Sequence, residues 1–189
     1  CKNWKEDSKY KIIVVGITDS CGDNKGAFTL YKIINHLCTI GINITLVMVG
    51  CKVNFEIPAI QYERKSSEEL IDLYASSDLC LVPSKYETFS QVTLESLRCA
   101  TPVLAFDNSG PKFIIEKYLP DFLVQFHNEN EYIDLVTKLL DFKRNNFSQL
   151  LDISEELKRD FSDKIVAKRY SNFYKKLLRL ENAKQRKSN

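Results

Sequence analysis

Three features of the sequence predict an α/β fold built on a doubly wound parallel sheet. Short continuous apolar runs recur at residues 11–17 (KIIVVGI), 44–49 (ITLVMV), 78–82 (DLCLV) and 102–106 (PVLAF). Their unbroken, largely β-branched character is that of strands covered on both faces. Between them lie segments whose apolar residues recur at helical spacing. Alternation of strand and helix leads to a parallel sheet with right-handed crossovers.

Taken in order, residues 1–9 are polar apart from Trp4 and form a lead-in. The strand at 11–17 ends on Gly16 and feeds a loop rich in turn formers, from Thr18 to Asn24. Lys25 and Gly26 open a helix to about Cys38, in which the apolar residues Phe28, Leu30, Tyr31, Ile33, Ile34 and Leu37 recur at helical spacing. Gly41 lies just past its end, as a C-terminal cap would. The strand at 44–49 is closed by Gly50, and residues 57–62 hold a short strand. Ser66 or Ser67 caps a helix through about Ser76, with Leu70, Ile71, Leu73 and Tyr74 inward.

The strand at 78–82 leads into a loop at 83–89, then a helix from about Ser90 to Cys99, then the strand at 102–106. Asn108 to Pro111 read as a loop before a short helix at 112–117, and 122–126 as the last strand. Helices follow at about 129–144, 147–160 and 163–181, and a basic tail ends the chain. The domain organisation expected is a lead-in (1–9), one Rossmann-like domain (10–160) and a C-terminal helical extension with its tail (161–189).

Bulk properties narrow the function. The chain has 189 residues, 44% hydrophobic and 28% charged, which is the composition of a globular domain. A net charge of +2 gives no electrostatic signature of nucleic-acid binding. Six cysteines form no C-x-x-C pair and several sit in apolar runs, so reduced, buried thiols in a cytosolic protein are expected. No apolar stretch is long enough to span a bilayer. The chain begins with Cys1 rather than Met, which predicts a piece of something longer.

The stretch from Glu87 to Glu95 carries the chemistry. Two carboxylates bracket a loop that feeds a helix after an apolar strand, the place where open α/β sheets bind ligands. The first amides of such a helix attract phosphate. Lys25 at a helix start is unfavourable for the helix dipole, which points to a functional cation. His36 and His127 have no paired ligands in the sequence, so no metal site is expected. The strand at 44–49 ends in Gly50-Cys51, not Asp, which argues against a phosphoacceptor receiver domain.

Four landmarks then occur in order: Val15-Gly16 with Lys25-Gly26; residues 46–50 (LVMVG); residues 74–84 (YASSDLCLVPS); and Glu87-x-Phe89 through Leu94-Glu95, followed by residues 100–103 (ATPV). Over residues 10 to 178 this pattern resembles the C-terminal, donor-binding half of the retaining glycosyltransferases of family 4, also called group 1. That resemblance implies one of two Rossmann halves, with an N-terminal acceptor-binding half outside this chain. It also implies transfer of a sugar from a nucleoside diphosphate to an acceptor hydroxyl, without a metal or other cofactor. Surface polysaccharide synthesis in the cytoplasm, with a peripheral membrane contact as a minor reading, is the setting it suggests. The isolated half is expected to turn over poorly.

Carried onto this sequence, Lys25 meets the diphosphate and Glu87 faces the sugar. The backbone from Thr88 through Phe89 and Ser90 to Gln91 supplies amides, and Glu95 accepts the ribose hydroxyls. Gly16 approaches the diphosphate, while the base rests near Gly50 and Tyr62. Ile17 stands where the family commonly has Arg, and Thr88, Ser90 and Ser109 stand where it commonly has Gly. The bland readings are a packing role for Phe89, a simple turn at 108–110, and a core or docking role for Tyr170, Phe173, Tyr174, Leu177 and Leu178. The competing function is a non-catalytic nucleotide-binding or scaffolding module of the same fold.

Overall fold

A computed structural model of the chain describes residues 8–18, 23–54 and 59–185. Cys1 and Cys21, the lead-in through residue 7 and the tail from residue 186 lie outside the described residues. Two compact units are present, Cys1–Ser154 and Glu155–Asn189.

The first unit is built on six parallel strands: β1 (Tyr10–Val15), β2 (Ile44–Val49), β3 (Ile60–Tyr62), β4 (Leu79–Val82), β5 (Val103–Phe106) and β6 (Leu123–Val124), in the order β3-β2-β1-β4-β5-β6. β1 pairs along its whole length with β2, from Tyr10 opposite Ile44 to Val15 opposite Val49. Every residue of β2, β4 and β5 is buried, which is why these strands read as continuous apolar runs. The edge strand β3 is exposed and short, so its sequence carried the weakest strand signal.

Helices α1 (Ala27–Thr39), α2 (Ser67–Ala75), α3 (Gln91–Arg98), α4 (Ser109–Tyr118), α5 (Glu129–Leu139) and α6 (Phe142–Asn145) connect and cover these strands. α2 starts with a capping box: the Ser66 hydroxyl accepts from the Glu69 N–H while the Glu69 carboxylate accepts from the Ser66 N–H. In α1, Leu30, Ile33, Ile34 and Leu37 are fully buried, but Phe28 and Tyr31 face outward. Ile71 of α2 is likewise exposed, against expectation. Helical spacing identifies a helix, but a residue at the margin of the apolar stripe can turn either way. α4 begins three residues before the expected start. Pro111 sits in its first turn, where its missing N–H breaks no helical bond.

At the amino ends of the strands the Lys143 side chain is buried. Its ammonium donates to the carbonyls of Ala75 (2.7 Å) and Ser77 (2.8 Å) and to the Thr101 hydroxyl (2.8 Å). The cation thus closes the C-terminal end of α2, where orphan carbonyls and the helix dipole favour positive charge. Burial holds its pKa below the ordinary lysine value, with Asp78 opposing that shift. The four cysteines described, Cys38, Cys51, Cys80 and Cys99, are free thiols. Only Cys80 is fully buried, and burial pushes its pKa up to about 12.

α7 (Phe147–Asp160) runs from the first unit into the second, which consists largely of α8 (Asp163–Gln185). Tyr170, Phe173, Tyr174, Leu177 and Leu178 are all exposed on α8, so of the two expected roles, core or dock, the core role within this chain is not met.

Replacing Lys143 with Met leaves three inward acceptors without a donor. We expect a loss of about 1–3 kcal/mol in unfolding free energy by denaturant titration. Wild-type stability in that variant would show that water replaces the ammonium.

Candidate functional site

The strand order reverses between β1 and β4, so the chain leaves these adjacent strands towards opposite edges of the sheet. Such a switch point opens a crevice at the carboxyl ends of the strands. A pocket of about 360 Å³ lies there. The end of β1 contributes Val15, Gly16 and Ile17, and the end of β4 contributes Val82, Pro83 and Ser84. Lys25 enters from the residues preceding α1, and Glu87 through Ser90 form the loop that leads into α3.

Gly16 adopts a left-handed conformation, φ 68°, which turns the chain sharply at the end of β1. Ser90, the N-cap of α3, is also left-handed at φ 64° and is buried. A left-handed residue with a side chain is uncommon, and such strain collects at functional sites. The Ser90 hydroxyl accepts from the Thr93 N–H and meets the Thr93 hydroxyl at 2.8 Å. The cap therefore serves the third residue of the helix. Gln91 and Val92, whose N–H groups have no acceptor within the helix, line the pocket.

The Lys25 ammonium lies 2.7 Å from a Glu87 carboxylate oxygen. The lysine side chain is 40% exposed and that of Glu87 19%, so the pair sits at the mouth of the pocket. The pocket combines a cation, a carboxylate and the amino end of a helix. That set can hold an anion and still present negative charge beside it.

Of the residues singled out from sequence, Gly16, Lys25, Glu87, Thr88, Phe89, Ser90 and Gln91 are brought together around this pocket. Phe89 both lines it and packs on Phe113, with ring centroids 6.5 Å apart. Gly50 and Tyr62 do not line it. They lie side by side at the ends of β2 and β3, where the Gly50 N–H donates to the Tyr62 carbonyl at 2.9 Å.

Glu95 does not line it either, so the expectation that both carboxylates rim one pocket is corrected. Glu95 is exposed and accepts a hydrogen bond from the Tyr74 hydroxyl at 3.2 Å. It borders a second hollow of about 320 Å³ between α2 and α3, floored by Leu70, Ile71 and Tyr74. Pro83, Ser84 and Val92 line the pocket without having been singled out. The pocket-facing role of Pro83 and Ser84 was signalled only by their place directly after a buried strand. Among the described residues, no three His, Cys, Asp or Glu side chains are grouped to hold a metal ion.

The family model described as glycosyl transferases group 1 matches residues 2–151, and the chain belongs to that family. The D-inositol 3-phosphate glycosyltransferase of Thermobispora bispora is 36% identical over 89 residues, covering 47% of this chain and 19% of that protein. The sucrose-phosphate synthase of Thermosynechococcus elongatus shares the fold, with a TM-score of 0.70 at 20% identity, over 91% of this chain and 46% of that one. Anabaena HepE, solved with UDP-glucose, superposes with a TM-score of 0.64 at 16% identity over 86% of this chain and 49% of that one. The matches thus span under half of each of these three proteins.

A solvent-accessible ion pair contributes little to folding. Lys25→Met and Glu87→Gln are therefore expected to change the unfolding free energy by less than about 1 kcal/mol each. A larger loss in either would give the pair a structural role.

Proposed function

We propose that this chain is the donor-binding half of a retaining glycosyltransferase, taking a nucleoside diphosphate sugar whose diphosphate sits in the pocket at the β1/β4 switch point. The observation that carries this reading is that Gly16, Lys25 and the amino end of α3 line one pocket. Cleavage of the sugar–phosphate bond places negative charge on the departing diphosphate and positive charge on the sugar ring. Fixed donors aimed at the leaving group stabilise that separation. Lys25 and the first amides of α3 fill that role, and Glu87 faces the developing positive charge. The Lys25–Glu87 pair rearranges when a diphosphate takes the ammonium.

The position of Glu95 fits a ligand that runs along α3. Val92 borders the pocket and Glu95 lies three residues on, so the two share one helix face about 5–6 Å apart between Cβ atoms. A ribose attached to the diphosphate would pass from Val92 towards Glu95. The base would then lie towards the strand ends at Gly50 and Tyr62. The acceptor is held by an N-terminal half outside this chain, so the chain alone is not expected to transfer sugar. That half is proposed on two grounds: the family pattern, and the under-half coverage of HepE and sucrose-phosphate synthase. A cytoplasmic place in surface polysaccharide synthesis, with a peripheral membrane contact, completes the proposal. No helix among the described residues is long and apolar enough to cross a membrane.

Calorimetric titration of UDP, GDP and ADP, with their sugar conjugates, tests this reading. One base is expected to bind. Lys25→Ala and Glu95→Ala should each weaken that binding by about 1–3 kcal/mol, the range for lost charge-assisted hydrogen bonds. In the longer enzyme, Glu87→Ala should reduce turnover more than nucleotide affinity. Failure of all three diphosphates to bind would favour the scaffolding alternative, and wild-type affinity in both alanine variants would move the site elsewhere.

A further inference from the structure

The loop that carries Glu87 is met at two points along its length by glycines that leave no room for a side chain. At one point is Gly26, immediately after Lys25. A Cβ built there would lie 2.0 Å from the Pro83 carbonyl oxygen. At the other is Gly110, in the first turn of α4. A Cβ there would lie 2.7 Å from the Glu87 carbonyl oxygen and 2.9 Å from the Phe89 amide nitrogen. These are backbone atoms, which cannot swing away as a side-chain tip can.

The two glycines differ in one informative respect. Gly26 has φ 74°, so its conformation alone would favour glycine. Gly110 is not among the residues with positive φ. Alanine would suit its helical conformation better, since glycine within a helix is the weaker former. Close approach to the loop is therefore what the glycine at 110 permits. Other contacts from the same two elements tighten the grip. The Asn108 side-chain N–H donates to the Ser84 carbonyl at 2.5 Å, and Phe113 packs on Phe89. Just ahead of Gly26, the Asn24 carbonyl accepts from the Lys85 N–H at 2.8 Å, and Asp23 pairs with the Lys85 ammonium at 2.8 Å.

We propose that Gly110, against Glu87 and Phe89, and Gly26, against Pro83 at the start of the same loop, are positioning residues that set the place of the loop backbone through Ser90 and so the shape of the anion pocket. Gly110 is absent from the pocket lining and acts through the loop. This rests on the reading of the pocket as a diphosphate site. The prediction it adds is specific: a methyl group at 110 moves the loop amides and Glu87 while leaving the regions around Glu95 and Tyr62 untouched.

The test is Gly110→Ala, compared with wild type for binding of the preferred nucleoside diphosphate and of the parent nucleoside. Binding is followed by calorimetry and, for the weaker nucleoside, by amide resonances. The diphosphate dissociation constant should rise at least tenfold and that of the nucleoside should change less than twofold. Asn108→Ala, which removes the bond to Ser84 without adding bulk, should produce a smaller loss with the same selectivity. It also keeps the test open if Gly110→Ala folds poorly.

A diphosphate constant within twofold of wild type in the folded variants would overturn the proposal. So would equal losses for nucleoside and diphosphate, which report general destabilisation. Should wild type bind no diphosphate, the functional reading fails separately. The ligand-free amide resonances of residues 87–90 then decide the clamp: displacement in Gly110→Ala supports it, and unmoved resonances refute it.

Discussion

The reversal of strand order between β1 and β4 is the constraint on which the rest of this structure depends. Right-handed crossovers carry the chain from β1 to one edge of the sheet and, after β3, back across to β4. The connections leaving β1 and β4 therefore diverge, and a pocket opens between the described ends of these strands. Gly16 turns away at one wall and Pro83 and Ser84 form the other. Placing Lys25 and the loop at Glu87 over that gap requires only that each follow its strand closely. Thus the ion pair joins groups 62 residues apart in sequence but adjacent in the sheet.

The electrostatics of the pocket follow from the same placement. A lysine ahead of α1 and the first two amides of α3, which the Ser90 cap does not engage, bring positive potential to one point. Neither is favourable for stability alone, since a cation at a helix start opposes the dipole and Ser90 holds a left-handed backbone. Glu87, 2.7 Å from the Lys25 ammonium, offsets part of this charge. By contrast, the ammonium of the buried Lys143 at the other end of the sheet donates to two carbonyls and a hydroxyl. Two lysines of one chain thus show opposite solutions: one locked into the frame, the other left at a pocket mouth.

Much of this was legible in the residues themselves. Strands buried on both faces write themselves as unbroken apolar runs, and β1, β2, β4 and β5 were readable for that reason. The loop at 87–90 was readable because it lies between a strand-ending Pro-Ser and a helix. Three things were not legible. The outward turn of Phe28, Tyr31 and Ile71 depends on which neighbour covers each helix edge, which spacing alone does not encode. The separation of Glu95 from the pocket depends on its lying about a turn further along α3 and on Tyr74 reaching its carboxylate. The role of Gly110 could not be read at all, because a glycine selected for close approach looks in sequence like a turn.

The most direct measurement is a map of backbone amide resonances on adding a nucleoside diphosphate to the chain. The largest shifts are predicted at Gly16 and at Thr88 through Val92, with smaller ones reaching Glu95. Shifts confined to the hollow between α2 and α3, or spread without a centre at the β1/β4 crevice, would contradict the placement of the diphosphate.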